Sequence, residues 1–167
     1  EESLNLFASH YENGTKIPKK MLKIMDKLKT YGSGNFTLRQ NEFAILDMTL
    51  HSKNPTEDII ELDSFILDLI NDYSILKKDI SYKMYSSFSH IFDGGYSAGY
   101  YSYMRAEIIE AQVWEEFKKN GIFDKKTAKK FLETILSAGS TKKASELFYD
   151  FSGENISPKA FFKRKKI

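Results

Sequence analysis

Apolar positions recur at helical spacing along nearly the whole chain. Leu4, Phe7, Ala8 and Tyr11 fall at i, i+3, i+4 and i+7 before Asn13-Gly14 breaks the pattern. Met21, Leu22, Met25 and Leu28 form a second stripe, with Pro18 suited to its first helical position and Gly32 to its end. Thr37-Leu38-Arg39-Gln40 matches a capping box, in which two side chains satisfy each other's backbone N–H groups. It predicts a helix opening there and carrying Phe43, Ile45, Leu46, Met48 and Leu50. Pro55-Thr56-Glu57-Asp58 predicts the start of another, with Thr56 as N-cap and Ile59, Leu62, Ile66, Leu69, Ile70 and Tyr73 along one side.

A long helix is expected from about Ala98 to Lys119. It would bury Ala106, Ile109, Val113, Trp114 and Phe117, turn Glu107, Glu110, Glu115 and Glu116 to solvent, and stop at Asn120-Gly121. Asp124 then caps a helix with Ala128, Phe131, Leu132 and Ile135 that Gly139 ends, and helices over 142–151 and from Ser157-Pro158 follow. No useful stretch alternates as a strand does, and no internal repeat is found. The expected fold is all-α, about eight helices joined by short turns, in a single unit over residues 1–167.

Composition narrows what such a chain can do. Of its 167 residues 41% are hydrophobic and 29% charged, values ordinary for a globular protein, and no apolar run is long enough to span a bilayer. The absence of cysteine removes disulfides, a thiol nucleophile and any all-cysteine metal site, and it fits a reducing, cytoplasmic compartment. A net charge of +2 carries no general attraction for nucleic acid. Lys159, Lys163, Arg164, Lys165 and Lys166 gather in the last segment without an acid, as expected of a solvated helix end whose cations suit the helix dipole. The chain opens on Glu-Glu and enters a helical pattern at once, which raises the expectation of a piece of a longer protein.

Motifs with a recognisable mechanism are few. His10, His51 and His90 stand far apart, and none has a histidine four residues on, so the H-E-x-x-H zinc arrangement is missing and no metal ligand is assigned. Neither a G-x-S-x-G elbow nor a phosphate loop is present. The acid neighbours Glu57/Asp58 and Glu115/Glu116 do not face a common point on a helix.

One segment stands out. Residues 88–103, FSHIFDGGYSAGYYSY, hold His90, the pair Gly94-Gly95, and Tyr96, Tyr100 and Tyr103. In a helix running from Tyr96 these three tyrosines fall at i, i+4 and i+7 and share a face, with the glycines as a mobile or close-approach turn before it. An aromatic core stripe is the plain reading. Each buried phenol would then need a hydrogen-bond partner, so a cleft wall whose hydroxyls meet a polar ligand stands as the sharper alternative. A base-stacking segment is disfavoured, because no basic residue precedes Arg105.

The run HIFDGGYSAGYYSY, the helix MRAEIIEAQVW after it and the following NGIFDKKTAKKFLETILSAGSTKKASELFYDFSGENISP resemble the C-terminal part of the thimet oligopeptidase family of zinc peptidases. SHYENGTKIP and NFTLRQNEFAILDMTLH are similar to earlier family segments in the same order. The resemblance implies a two-lobed helical fold around a deep channel, acting on short peptides. It also implies zinc in the full-length enzyme, held by an H-E-x-x-H motif and a further Glu upstream of this chain, and none bound by this segment itself. The implied partners are peptide substrates and the N-terminal remainder of the same protein. By the same resemblance His90 hydrogen-bonds substrate, Gly94 and Gly95 form a loop that adapts to different peptides, Tyr96 and Tyr103 stand near the scissile carbonyl, and Tyr100 contacts substrate. Asp93 and Arg105 depart from the family's usual residues. The other class left open is a non-catalytic helical module that binds peptides or a partner helix.

Overall fold

The computed structural model describes residues 2–52 and 56–167, and every regular element among them is helical. In chain order these are α1 (Glu2–Phe7), α2 (Lys19–Leu28), α3 (Ser33–Ser52), α4 (Ile59–Asn71) and α5 (Ser89–Phe92), with a 3₁₀ turn at Met84–Ser87 before the last. The remaining helices are α6 (Ser102–Asn120), α7 (Lys125–Phe131), α8 (Ala144–Ser152) and α9 (Lys159–Lys165). A wider π turn, Leu132–Leu136, prolongs α7.

Several helix ends differ from expectation, each for a local reason. α1 stops at Phe7 rather than reaching Tyr11, because the Asn13 side chain accepts from the Thr15 N–H and hydroxyl and closes a turn there. α3 begins at Ser33, so Thr37 lies inside the helix, buried and with an unpartnered hydroxyl, and no capping box forms. Gly32, at φ 68°, makes the turn that allows the early start. The Ser33 hydroxyl then donates to the Lys165 carbonyl at 2.6 Å. α4 is capped by Asp58, not Thr56: the Asp58 carboxylate accepts from the Ile60 and Glu61 amides at 2.8 and 3.1 Å. Pro55 lies outside the described residues. Asp124 caps α7 as expected, accepting from the Thr127 amide at 2.7 Å.

Two apolar clusters hold these helices. Leu46 of α3, Ile66 and Ile70 of α4, Phe88 and Ile91 form one, flanked by Phe43, Leu50 and Tyr100. Val113 of α6 with Phe148 and Phe151 of α8 forms the other, joined by Phe117, Phe131 and Ile135. α6 therefore buries Ala111 and Val113, whereas Ala106 and Trp114, expected inside, are exposed.

The basic end of the chain is not simply solvated. Arg164 pairs with Glu110, Lys165 with Glu107 at 2.9 Å and Lys163 with Glu115 at 3.8 Å, so α9 is strapped along α6 by the acids assigned to solvent. Phe161, 3% exposed, anchors it from below. α2 buries no residue at all: Met21, Ile24, Met25 and Leu28 are exposed along one face.

The hydrogen bond from Lys118 holds the Glu115 carboxyl below the usual carboxylate range. Partial burial opposes it, and the charges of Lys118, Lys163 and Arg164 add to it. A depressed folded-state pKa means that the unfolded chain binds more protons as pH falls through about 4. This contribution to stability is present above that range and is lost as pH drops through the folded-state value. The thermal midpoint is expected to fall more steeply below about pH 4 in the native chain than in Glu115→Gln. Parallel pH profiles would show that the tie adds nothing.

Candidate active site

The segment 88–103 is built as a closed turn between the first core and α6. Phe88 and Ile91 are buried, so α5 is pinned by its apolar side while His90 stays exposed. The Asp93 and Gly94 amides both donate to the Ser89 carbonyl at 2.8 Å, and the Tyr96 amide donates to that of His90 at 3.1 Å. A Cβ on Gly94 would stand 2.7 Å from the His90 Cα, and Gly95 has φ 78°. The glycine pair thus serves close approach and left-handed turning, one of the two roles expected of it.

The chain then crosses α3. Ala98 adopts φ 53°, which in a residue with a side chain costs about 1–2 kcal/mol. Its amide donates to Oδ1 of Asp47 and the Tyr100 amide donates to Oδ2, each at 2.9 Å. Asp47 has no exposed surface, and His51 Nδ1 lies 2.9 Å from its Oδ1. The Ser97 hydroxyl donates to the Ile91 carbonyl at 2.6 Å.

Helix α6 therefore starts only at Ser102, not near Ala98, and Tyr96 and Tyr100 are not on it. The expected common helical face does not exist, yet the rings still converge. Tyr96 and Tyr103 stack at 5.1 Å between centroids and 27° between planes, and Tyr100 lies 5.0 Å from Tyr103. His90 completes the group at 6.3 Å from Tyr96 and 6.4 Å from Tyr100.

The three phenols have different surroundings. Tyr100 packs on the first core, edge-on to Phe43 and Phe88, and its hydroxyl donates to Gln40 at 3.3 Å. Tyr96 is 37% and Tyr103 41% exposed. One ring of the stripe is core and two line an open surface. The hydrogen bond with Tyr96, then burial and the neighbouring phenols, push the Tyr103 phenol above its ordinary pKa. Burial raises that of Tyr100, against the Arg39 charge and the Gln40 bond. Tyr103 is accordingly a neutral O–H donor at any physiological pH.

Asp93 caps the C-terminal end of α5 and Arg105 is exposed near the start of α6. No group of three His, Asp or Glu among the described residues is placed to hold a metal ion. Sequence reasoning missed Asp47 and His51. Asp47 follows Phe43 by four residues and Leu46 by one, so an acid occupies the buried stripe of an amphipathic helix, and that was the available signal.

The family model described as peptidase family M3 matches residues 1–167. Oligopeptidase A of Haemophilus influenzae is 36% identical over 167 residues, which is 100% of this chain and 24% of that protein. Oligopeptidase A of Escherichia coli is 34% identical over 91% of this chain and 22% of its own length. Saccharolysin of Saccharomyces cerevisiae is 30% identical over 97% and 23%. The chain spans about a quarter of the length of these relatives.

The turn geometry is directly testable. Gly94→Ala forces a methyl into the α5 backbone and is expected to destabilise the chain by about 1–3 kcal/mol, lowering the thermal midpoint. An unshifted melting curve would mean that the turn opens freely at this point.

Proposed function

This chain belongs to peptidase family M3, and from that premise we propose that it forms one wall of the active site of an oligopeptidase hydrolysing short peptides. The observation that carries the reading is the exposed Tyr96–Tyr103 pair beside His90, with the Tyr103 phenol held neutral. Attack on a peptide carbonyl builds negative charge on its oxygen, and a pre-aimed neutral donor stabilises that charge more than it stabilises the ground state. Tyr103 and Tyr96 supply such donors. His90 and Tyr100 contact the bound peptide, and Gly94 and Gly95 shape the turn beneath it.

Zinc is the cofactor that this reading assigns to the whole protein. The residues described here supply no ligand set for it, so no step is routed through it. The exposed apolar faces of α1 and α2, with Leu6, Phe7, Met21, Ile24, Met25 and Leu28, are assigned to contact with the remainder of the protein. No helix among the described residues is long and apolar enough to cross a membrane. A cytoplasmic location and the absence of nucleic-acid or membrane partners complete the proposal.

Two experiments test it. In the whole protein, Tyr103→Phe is expected to lower kcat on a short peptide by about a hundredfold or more with KM changed only a few-fold. An unchanged kcat removes Tyr103 from the reaction, and peptide binding without hydrolysis by the native protein identifies a non-catalytic module instead. The 167-residue chain alone is expected to be inactive. Stoichiometric zinc uptake by it, with cleavage abolished by a chelator, would overturn that expectation.

A further inference from the structure

Asp47 is a fully buried acid whose only ion-pair partner among the described residues is His51. A buried carboxylate needs donors on its oxygens, and here two of them are backbone amides of the tyrosine turn. Neither the Ala98 nor the Tyr100 amide donates to a backbone carbonyl among the described residues, so Asp47 satisfies what the irregular turn leaves open. Around these two amides the backbone bonds of the turn among the described residues are short-range: Gly99 N–H to the Tyr96 carbonyl at 2.8 Å, Ser102 N–H to that of Gly99 at 3.0 Å and Tyr103 N–H to that of Tyr100 at 3.2 Å.

We propose that Asp47 is a positioning residue for the reaction: through the Ala98 and Tyr100 amides it sets the turn that brings the Tyr96 and Tyr103 hydroxyls to one side of the peptide. This rests on the tyrosine reading above. Geometry supports the role at each link. The neighbouring Leu46 is 1% exposed in the first core, so the α3 backbone behind the carboxylate is fixed. His51, one helical turn on, has Nδ1 at 2.9 Å from both the Asp47 carboxylate and the Asp47 carbonyl, which holds the rotamer. Ala98 sits between the two tyrosines in a left-handed conformation that L-residues adopt only when the surroundings impose it. Released, the turn would regain ordinary backbone angles, and Tyr96 would lose its register on Tyr103.

The test uses the whole protein and four forms: native, Asp47→Asn, Tyr103→Phe and the double variant. Asparagine keeps the volume and one acceptor but points an NH₂ group at one of the two amides. Per folded molecule, kcat of Asp47→Asn is expected to fall about tenfold or more, and the double variant to be within about threefold of Tyr103→Phe alone. Hydrogen exchange, a readout independent of activity, is expected to quicken at the Ala98 and Tyr100 amides and not at Ile66 or Ile70.

An unchanged kcat in Asp47→Asn overturns the proposal when Tyr103→Phe is impaired. So do losses that multiply fully in the double variant, or faster exchange throughout the fold with kcat per folded molecule retained. If Tyr103→Phe is itself unimpaired, the tyrosine reading fails and the positioning role fails with it, while exchange at the two amides separately reports whether Asp47 holds the turn. Should Asp47→Asn not fold, His51→Ala, which keeps the carboxylate but removes the imidazole that fixes it against the two amides, is measured in the same way. Faster exchange at the two amides with a lower kcat then supports the proposal, and native behaviour overturns it.

Discussion

The Asp47 carboxylate receives the amides of Ala98 and Tyr100, residues 51 and 53 positions away in sequence. Without them it would be a buried acid facing one histidine, a state that the interior does not tolerate cheaply. With them, the chain entering α6 is held against α3 at two successive donors of an otherwise unladdered turn. Helix α6 starts only after that contact, and Tyr96 stacks on Tyr103 beside it.

The rest of the molecule keeps the two sides of this contact in place. Leu46, Ile66, Ile70, Phe88 and Ile91 fix α3 and α5 on one side. Val113, Phe148 and Phe151 fix α6 on the other. α9 braces α6 through Arg164 and Lys165, and its last carbonyl region is tied to α3 by Ser33. The basic terminus is thus tied into the fold through Glu107, Glu110 and Glu115.

Within the site, one aromatic residue type has two tasks. Tyr100 is half in the core and its hydroxyl is satisfied by Gln40, so it packs beneath the turn as well as edging the site. Tyr96 and Tyr103 present their rings to an open surface, and the Tyr103 phenol, its pKa raised chiefly by Tyr96, is uncharged. A phenol suits such a place because it is an uncharged donor whose ring can be fixed by stacking. An arginine or lysine there would bring a charge, and phenylalanine would bring no donor.

Helical periodicity was enough to show the all-α class and the cap at Asp124, because these depend on residues near one another in sequence. The composition of residues 88–103 drew attention to that segment, and the resemblance proposed roles for His90, Gly94, Gly95, Tyr96, Tyr100 and Tyr103. The ordered match of several segments carried the family. Periodicity failed where a distant group intervened. Thr37 and Gln40 look like a capping box, but the turn at Gly32 and the Ser33–Lys165 bond start α3 earlier. Tyr96, Tyr100 and Tyr103 have helical spacing, but Asp47 captures the amides between them and the tyrosines meet across a turn instead. Local sequence could single out the candidate residues. Their arrangement was decided by a buried charge whose donors lie in another part of the chain, and only the tertiary structure brings those together.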